Sequence, residues 1–173
     1  WYRSRGLGDV YKRQFLMNKL KILVTGSNGL LGQKIVYQLA KRKNVELIAT
    51  AKGPNRLKEK TGYQFIDLDI TSKDQVYNII NTLKPNAVIN CAAMTNVDAC
   101  ENNQEYCWNV NVKAVEYIAT ASESIKAHLV QLSTDFIFDG NAGPYSEKDT
   151  PNPLHFYAKS KLELSLIHIS SPR

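Results

Sequence analysis

Residues 21–32 read KILVTGSNGLLG, and this stretch decides the fold. Lys21 to Thr25 has the apolar run of a buried β-strand, and a helix is expected from about Gly29 to Arg42, with Leu31, Ile35 and Leu39 four apart on its inner face. Between strand and helix stand Gly26, Gly29 and Gly32, with Asn28 among them, in the spacing G-x-x-G-x-x-G. Glycines there permit a tight turn and let backbone N–H groups approach an anion closely, and the partial positive charge of the helix N-terminus favours that anion. A pyrophosphate is the group such a turn suits. Glycines that serve only packing are the other reading, which the strand–turn–helix placement disfavours.

Working outward, strand-like and helix-like segments alternate. Val45–Thr50 reads as a second strand, Lys52 to Gly62 as a polar connection, and Gln64–Leu68 as a third strand. Thr71 or Ser72 can cap a helix carrying Val76, Ile79, Ile80 and Leu83, closed by Pro85 before a fourth strand, Ala87–Cys91. The longest helix is expected from about Gln104 to Lys126, its apolar positions Cys107, Val110, Ala114, Ile118, Ala121 and Ile125 stepping by three and four. His128–Ser133 reads as the fifth strand, and a loop then leads to a last helix starting near Phe156. The class this predicts is α/β, a Rossmann-type doubly wound parallel sheet in the order 3-2-1-4-5. A sixth and seventh strand and a substrate domain would be expected after the point where the sequence ends.

Both ends look foreign to this pattern. Met17 is taken as the natural start, residues 1–16 as an appended segment, residues 17–163 as the domain, and residues 164–173 as a second appended segment that does not continue the last helix. Of the chain's 173 residues 43% are hydrophobic, with no apolar run approaching a membrane span. The net charge of +6 is concentrated in Arg3, Arg5, Lys12, Arg13 and Arg173 at the two ends, which argues against a nucleic-acid partner. Three cysteines without C-x-x-C spacing suggest reduced thiols and a cytoplasmic setting. The three histidines are scattered without companion ligands, so no metal is expected.

Cofactor and catalytic candidates follow from position. About twenty residues after the glycines, where a carboxylate would accept from the ribose hydroxyls of NAD, stand Ala51 and Lys52, with Arg56 near. Two cations there suit a 2′-phosphate and favour NADPH over NADH; a solvated loop lysine is the plainer alternative. Asp69, followed by Ile70, lies after the third strand, where it could accept from an adenine amino group or cap the next helix. Tyr157 and Lys161 are four apart on one helical face. Ketone reduction needs a proton donor at the carbonyl oxygen, and a neighbouring ammonium is expected to draw the tyrosine pKa down toward the working range. Ser133 and Thr134 lie at the carboxyl end of the fifth strand, where open α/β sheets bind ligands. Thr134 is preferred for orienting a substrate carbonyl, with Asp135 placed to hold a sugar hydroxyl.

These motifs together resemble the extended short-chain dehydrogenase/reductase family, and within it the dTDP-4-dehydrorhamnose reductase group. The resemblance covers about residues 17–163 and rests on TGSNGLLG at 25–32, VINCAAMTNVDACE at 88–101, STDFIFDG at 133–140 and GPYSEKDTPNPLHFYAKSKLE at 143–163. It implies reduction of a 4-keto nucleotide sugar, with Thr134, Tyr157 and Lys161 matching the catalytic Ser/Thr, Tyr and Lys. Gly29, Leu30 and Leu31 match cofactor phosphate contacts, Asp69 and Ile70 the adenine contact, Ala92 and Ala93 the segment at the nicotinamide side, and Thr134 and Asp135 positions facing the substrate. Cys91 departs from the small residue, usually alanine, typical there. Because the family's nucleotide-sugar pocket follows the catalytic helix, the resemblance implies a reductase parent, a homodimer for the whole protein, and an inactive chain with an open, aggregation-prone sheet edge. Two alternatives stay open. One is an epimerase or dehydratase of the same family, the dehydratase disfavoured by Phe136 following Asp135; the other is a non-catalytic regulatory subunit like the β subunit of methionine adenosyltransferase.

Overall fold

The computed structural model describes residues 19–169, the last five by their backbone path only. Residues 1–16 and the start assigned to Met17 lie outside the described residues, as do residues 170–173. The elements in chain order are β1 Leu20–Thr25, α1 Leu30–Leu39, β2 Val45–Ala51, β3 Gln64–Asp67, α2 Lys73–Leu83, β4 Ala87–Asn90, α3 Val97–Asn102, α4 Gln104–Trp108, a π-helical turn Asn109–Lys113, α5 Ala114–Ser124, β5 His128–Gln131, a 3₁₀ turn Asp135–Ile137 and α6 Phe156–Ile169.

The five strands form one parallel sheet in the order β3-β2-β1-β4-β5, the expected order. Leu23 sits between Ile48 on β2 and Val88 on β4, and Ala87 on β4 is opposite His128 on β5. Successive side chains leave a strand on opposite faces, so neighbours on β1 enter different cores. Leu23 joins Ile48, Val88, Val76, Ile80, Ala114 and Ile118 under α2 and α5, whereas Ile22 and Val24 join Leu47, Ala49, Val36 and Leu57 under α1.

Several elements depart from the sequence reading. On α1 the inward residues are Gly32 and Val36, while Leu31 is 48% exposed. A Cβ on Gly32 would strike the Gly26 carbonyl oxygen and come within 2.8 Å of the Ser27 Cα, so it is the contact of a bare glycine with the turn that sets the helix rotation. Leu31 is thereby turned outward, while Ile35 and Leu39 of the expected stripe still pack, partly buried, against the core beside Val36.

The helix expected from about Gln104 to Lys126 starts at Gln104 and runs to Ser124 with a π-helical turn in its course, and a separate short helix, α3, precedes it. Asn96 caps α3 by accepting from the Ala99 N–H at 2.9 Å, and Asn103 caps α4 by accepting from the Tyr106 N–H at 3.1 Å. The π-helical turn then separates α4 from α5. The predicted core positions survive the π-helical turn, because Cys107, Val110, Ala114, Ile118 and Ala121 are all buried. β5 ends at Gln131, two residues short of Ser133.

α6 does not stop near residue 163 but runs on to Ile169, with Leu164 4% exposed. The residues following Glu163 contain no proline or glycine until Pro172, so nothing in the local chain ends the helix earlier. β5 is an edge strand of the five, and Val130 on it is 39% exposed.

Candidate active site

The sheet order changes direction between β1 and β4, and the strands' carboxyl ends open there on a cleft of about 640 Å³. This is the switch point at which doubly wound sheets bind ligands. Gly29, Leu30, Leu31 and Gly32 form one wall, Cys91, Ala92 and Ala93 the floor after β4, and Ser133, Tyr157 and Lys161 the far side. Residues named from four separate stretches of sequence are thus brought to one place. Lys34 and Thr95, which the sequence reading did not single out, also line it.

The glycine turn is built tightly. Gly26 has φ +65°, and a Cβ on it would lie 2.6 Å from the Ala92 nitrogen, so a side chain is excluded by both conformation and space. Gly29 donates its N–H to the Gly26 carbonyl at 3.0 Å and begins α1 as its N-cap without any side-chain cap. The first N–H groups of α1 are therefore left without a side-chain acceptor, which suits an anion. Asn28 turns away: its Nδ2 donates to the Pro54 carbonyl at 3.0 Å, and its Oδ1 accepts from the Arg56 N–H at 2.9 Å. Its side chain braces the loop after β2 instead of facing the cleft.

Beneath the turn runs a buried polar chain. The Thr25 hydroxyl donates to Asn90 Oδ1, Asn90 Nδ2 donates to Gln131 Oε1 at 2.7 Å, and Gln131 Nε2 donates to the Leu132 carbonyl at 2.9 Å. Lys161 Nζ donates to that same carbonyl at 3.2 Å. Strands β1, β4 and β5 are so tied at their carboxyl ends to the middle of α6.

α6 is positioned by two acceptors at its first turn. A Glu101 carboxylate oxygen accepts from the Phe156 N–H at 2.6 Å, and His155 Nδ1 accepts from the Ala158 N–H at 3.2 Å. The His155 ring stacks on Tyr157, centroids 6.0 Å apart, and takes Phe136 edge-on at 5.4 Å. Asn111, wholly buried in the π-helical turn, accepts from the Met94 N–H at 2.9 Å and donates to the Met94 carbonyl at 3.0 Å and to Ser160 Oγ at 3.1 Å. It fastens the chain after β4 to the face of α6 behind Tyr157. The signal for Asn111 in the sequence was a polar residue beside buried apolar positions of a helix, and π-helical turns recur at functional sites.

The Thr134 hydroxyl lies near enough to the Tyr157 phenol to favour its ionised form, while Ser133 and not Thr134 lines the cleft. Thr134 Oγ1 also donates to Asp135 Oδ1 at 3.3 Å and accepts from the Phe136 N–H at 3.3 Å. The electrostatics differ from expectation. Burial, joined by the neighbouring Cys100, pushes the Tyr157 phenol above its ordinary value, and only the Thr134 hydrogen bond opposes this. The Lys161 ammonium, instead of meeting the phenol, donates to the Leu132 carbonyl, and burial lowers its own pKa. Burial also raises the Cys91 thiol in the cleft floor to about 11, which keeps it protonated and unreactive at neutral pH.

A second recess of about 520 Å³ opens at the carboxyl ends of β2 and β3, lined by Lys52, Gly53, Asp67, Asp69, Gln75, Asn78 and Ile79. The expectation that Lys52 stands free of carboxylates does not hold here, since its Nζ meets Asp69 Oδ2 at 2.6 Å. Asp69 Oδ1 accepts from both the Thr71 N–H at 3.0 Å and the Thr71 hydroxyl at 2.6 Å, which fixes the turn into α2. Partial burial works to raise the Asp69 carboxyl, but the hydrogen bonds from Lys52 and Thr71 outweigh it and hold it below the ordinary value. Ile70 is 8% exposed with its side chain in the core, so it offers a ligand only its backbone. The Arg56 side chain does not line the recess. Among the described residues no group of His, Cys, Asp or Glu could hold a metal ion, and no helix is long and apolar enough to cross a membrane.

The model of the RmlD substrate binding domain matches residues 20–166. The chain belongs to the RmlD substrate binding domain family. Within the RmlD family it is 38% identical over 144 residues to the dTDP-4-dehydrorhamnose reductase of Aggregatibacter actinomycetemcomitans, covering 83% of this chain and 45% of that protein. It is 36% identical over 143 residues to methionine adenosyltransferase 2 subunit beta of Danio rerio, covering 83% of this chain and 42% of the relative. A crystal structure of a dTDP-4-dehydrorhamnose reductase from Clostridium acetobutylicum superposes with a TM-score of 0.71 at 42% identity, over 84% of this chain and 48% of that one. This RmlD-family chain therefore spans about half the length of the proteins it matches.

Proposed function

We propose that the chain carries the dinucleotide-binding and proton-donating part of a nicotinamide-dependent reductase of a 4-keto nucleotide sugar. The observation that carries this reading is the meeting of Tyr157, Ser133 and Lys161 with the glycine turn in one cleft at the sheet's switch point. The dinucleotide, when bound, supplies the hydride. Gly29 and the first N–H groups of α1 would hold its pyrophosphate, and the recess around Lys52 and Asp69 its adenosine end. Lys52, the one cation lining that recess, leans the choice toward NADPH over NADH, and its ion pair with Asp69 keeps that lean small. Thr134, near the Tyr157 phenol, orients the substrate carbonyl, and Tyr157 gives it the proton. Asp135 stands beside them for a sugar hydroxyl. The three cysteines among the described residues are all free, which accords with a cytoplasmic setting.

Because the chain spans under half of the bacterial reductase it resembles, the expected behaviour of the isolated chain is cofactor binding without sugar turnover. A second reading, a non-catalytic subunit using the same fold to hold a partner, is supported by the 36% identity to methionine adenosyltransferase 2 subunit beta of Danio rerio. Calorimetric titration of the chain with NADPH and NADH tests the first part, with Gly29→Val as control. Saturable binding lost in the variant supports the dinucleotide reading, and no binding by the unaltered chain sinks it. Turnover of a dTDP-4-keto sugar by the full-length gene product, abolished in Tyr157→Phe, separates enzyme from regulatory subunit.

A further inference from the structure

The Lys52–Asp69 pair occupies the place where a dinucleotide's adenosine ribose would be discriminated, and its two partners are not equally free to move. Asp69 is pinned by the two Thr71 donors and its side chain is 25% exposed, whereas the Lys52 side chain is 67% exposed on a four-carbon stem. Asp67 faces the same recess and is itself committed, its Oδ1 accepting from the Gly53 N–H at 2.7 Å. Two carboxylates and one ammonium thus line the recess, so its formal charge is negative although it holds a lysine.

We propose that Asp69 is a specificity-determining residue for the coenzyme: by holding the Lys52 ammonium it restrains the preference for a 2′-phosphorylated adenosine that Lys52 alone would confer. This rests on the dinucleotide reading given above. A 2′-phosphate entering the recess gains Lys52 only by drawing it from Asp69, and it brings a further negative charge beside two carboxylates. A bare 2′-hydroxyl meets the opposite situation, since either carboxylate can accept from it without displacing Lys52. The two effects oppose each other, and the outcome is a shallow selectivity in which both coenzymes are accepted. Removing the Asp69 charge while keeping its acceptor oxygen releases Lys52 and leaves the Thr71 turn intact, because an asparagine oxygen still accepts both Thr71 hydrogens.

The test measures dissociation constants of the 173-residue chain for adenosine 2′,5′-bisphosphate and AMP, followed by NADPH and NADH, in four forms: unaltered, Asp69→Asn, Lys52→Met and the double variant. The expected ratio of the two nucleotide affinities is within about threefold in the unaltered chain, in line with the small worth of a cation already engaged in an exposed ion pair. Asp69→Asn is expected to tighten adenosine 2′,5′-bisphosphate roughly three- to tenfold with AMP unchanged, as one unit of like charge is removed near a phosphate. Lys52→Met alone is expected to change the ratio less than about twofold, and in the double variant the gain of Asp69→Asn disappears. The inference is overturned if Asp69→Asn weakens both nucleotides equally, which would make Asp69 an adenine contact, or if it leaves the ratio unchanged. Failure of the unaltered chain to bind any of the four ligands overturns the dinucleotide reading itself. Lys52→Met, which touches no turn, keeps the test decisive should Asp69→Asn fail to fold, because a large loss of ratio in it would show that Lys52 was free all along.

Discussion

Lys161 Nζ donates to the Leu132 carbonyl oxygen at 3.2 Å, the oxygen that also takes the Gln131 side-chain amide at 2.9 Å. One carbonyl at the end of β5 therefore anchors both the buried polar chain beneath the sheet edge and the lysine expected to serve catalysis. Lys161 is 3% exposed, and its resting position serves the fold before it serves any ligand.

The burial of Lys161 has a thermodynamic consequence. Desolvation holds its pKa below the ordinary 10.5, so the unfolded chain binds that proton more readily than the folded one. Protonation then favours unfolding, and stability rises with pH from the folded pKa up to the unfolded value. Lys161→Met removes the buried charge and leaves the Leu132 carbonyl its Gln131 donor, so it should match or exceed the unaltered chain in stability at about pH 7. Urea midpoints taken from about pH 7 to about pH 10 should climb for the unaltered chain relative to Lys161→Met. Parallel profiles would mean that Lys161 ionises alike in both states.

The glycines of the turn should separate by cost. Gly32→Ala drives a methyl against the Gly26 carbonyl and the Ser27 Cα, both backbone, so the strand–turn–helix junction must shift as a unit. A loss of about 2–3 kcal/mol is expected, at the upper end for an overpacked site. Gly29→Ala meets only the Gly26 oxygen, at 3.3 Å, which a small adjustment relieves, and should cost less than about 1 kcal/mol. Denaturant unfolding of both variants checks the order, and equal losses would refute the account of how α1 is seated.

How much of this was legible beforehand differs by the kind of interaction. The sheet order and four of the five expected core positions between Val110 and Ile125 follow from apolar periodicity, which survives even the π-helical turn in the helix carrying it. The short helix α3 and its separation from α4 depend on Asn96 and Asn103 as caps, and an asparagine in a polar stretch reads equally well as surface. The cleft wall of Gly29 to Gly32 and the Tyr157–Lys161 pair were readable because a local motif fixes each one. What stayed hidden was pairwise and long-range: Lys52 with Asp69, Asn111 with Met94 and Ser160, and Glu101 with the α6 terminus. None of these pairings leaves a periodic trace. On α1 only Leu31 departs from the expected inner stripe, because the missing Cβ at Gly32 seats the helix close on the turn and leaves Leu31 outside, while Ile35 and Leu39 still pack against the core.

Asn111 should be costly to lose. Its wholly buried amide satisfies the partly buried Met94 N–H and carbonyl and donates to the Ser160 hydroxyl. Asn111→Leu fills similar volume but strands those groups, and an unsatisfied buried donor or acceptor costs about 1–3 kcal/mol. A destabilisation of about 2–4 kcal/mol is expected, given more than one orphaned group. Asn111→Asp, which keeps the acceptor for Met94 N–H but cannot donate, should also lose stability. Thermal unfolding of the two variants checks this, and a neutral Asn111→Leu would show that water can replace the amide.

The loop between the 3₁₀ turn and α6 is fastened by one carboxylate. Asp139 Oδ1 accepts from the Tyr145 hydroxyl at 2.5 Å and the Asn141 N–H at 3.0 Å, and Oδ2 accepts from Asn152 Nδ2 at 3.0 Å. The Tyr145 ring stacks on Phe138 with centroids 4.5 Å apart, so the carboxylate and the ring pair close the loop together. These donors, Tyr145 foremost, hold the Asp139 carboxyl well below the usual carboxylate range. A depressed folded pKa means that the contribution is complete above the unfolded value of 3.8 and is lost only as pH falls through the folded value. The loop should therefore stay closed under acid that protonates ordinary carboxylates. Asp139→Ala should open it at neutral pH, raising the rate of proteolytic nicking between residues 140 and 152 while leaving the sheet intact. Limited proteolysis with mass mapping reads this directly, and an unchanged nicking rate in Asp139→Ala would mean that the aromatic stack alone holds the loop.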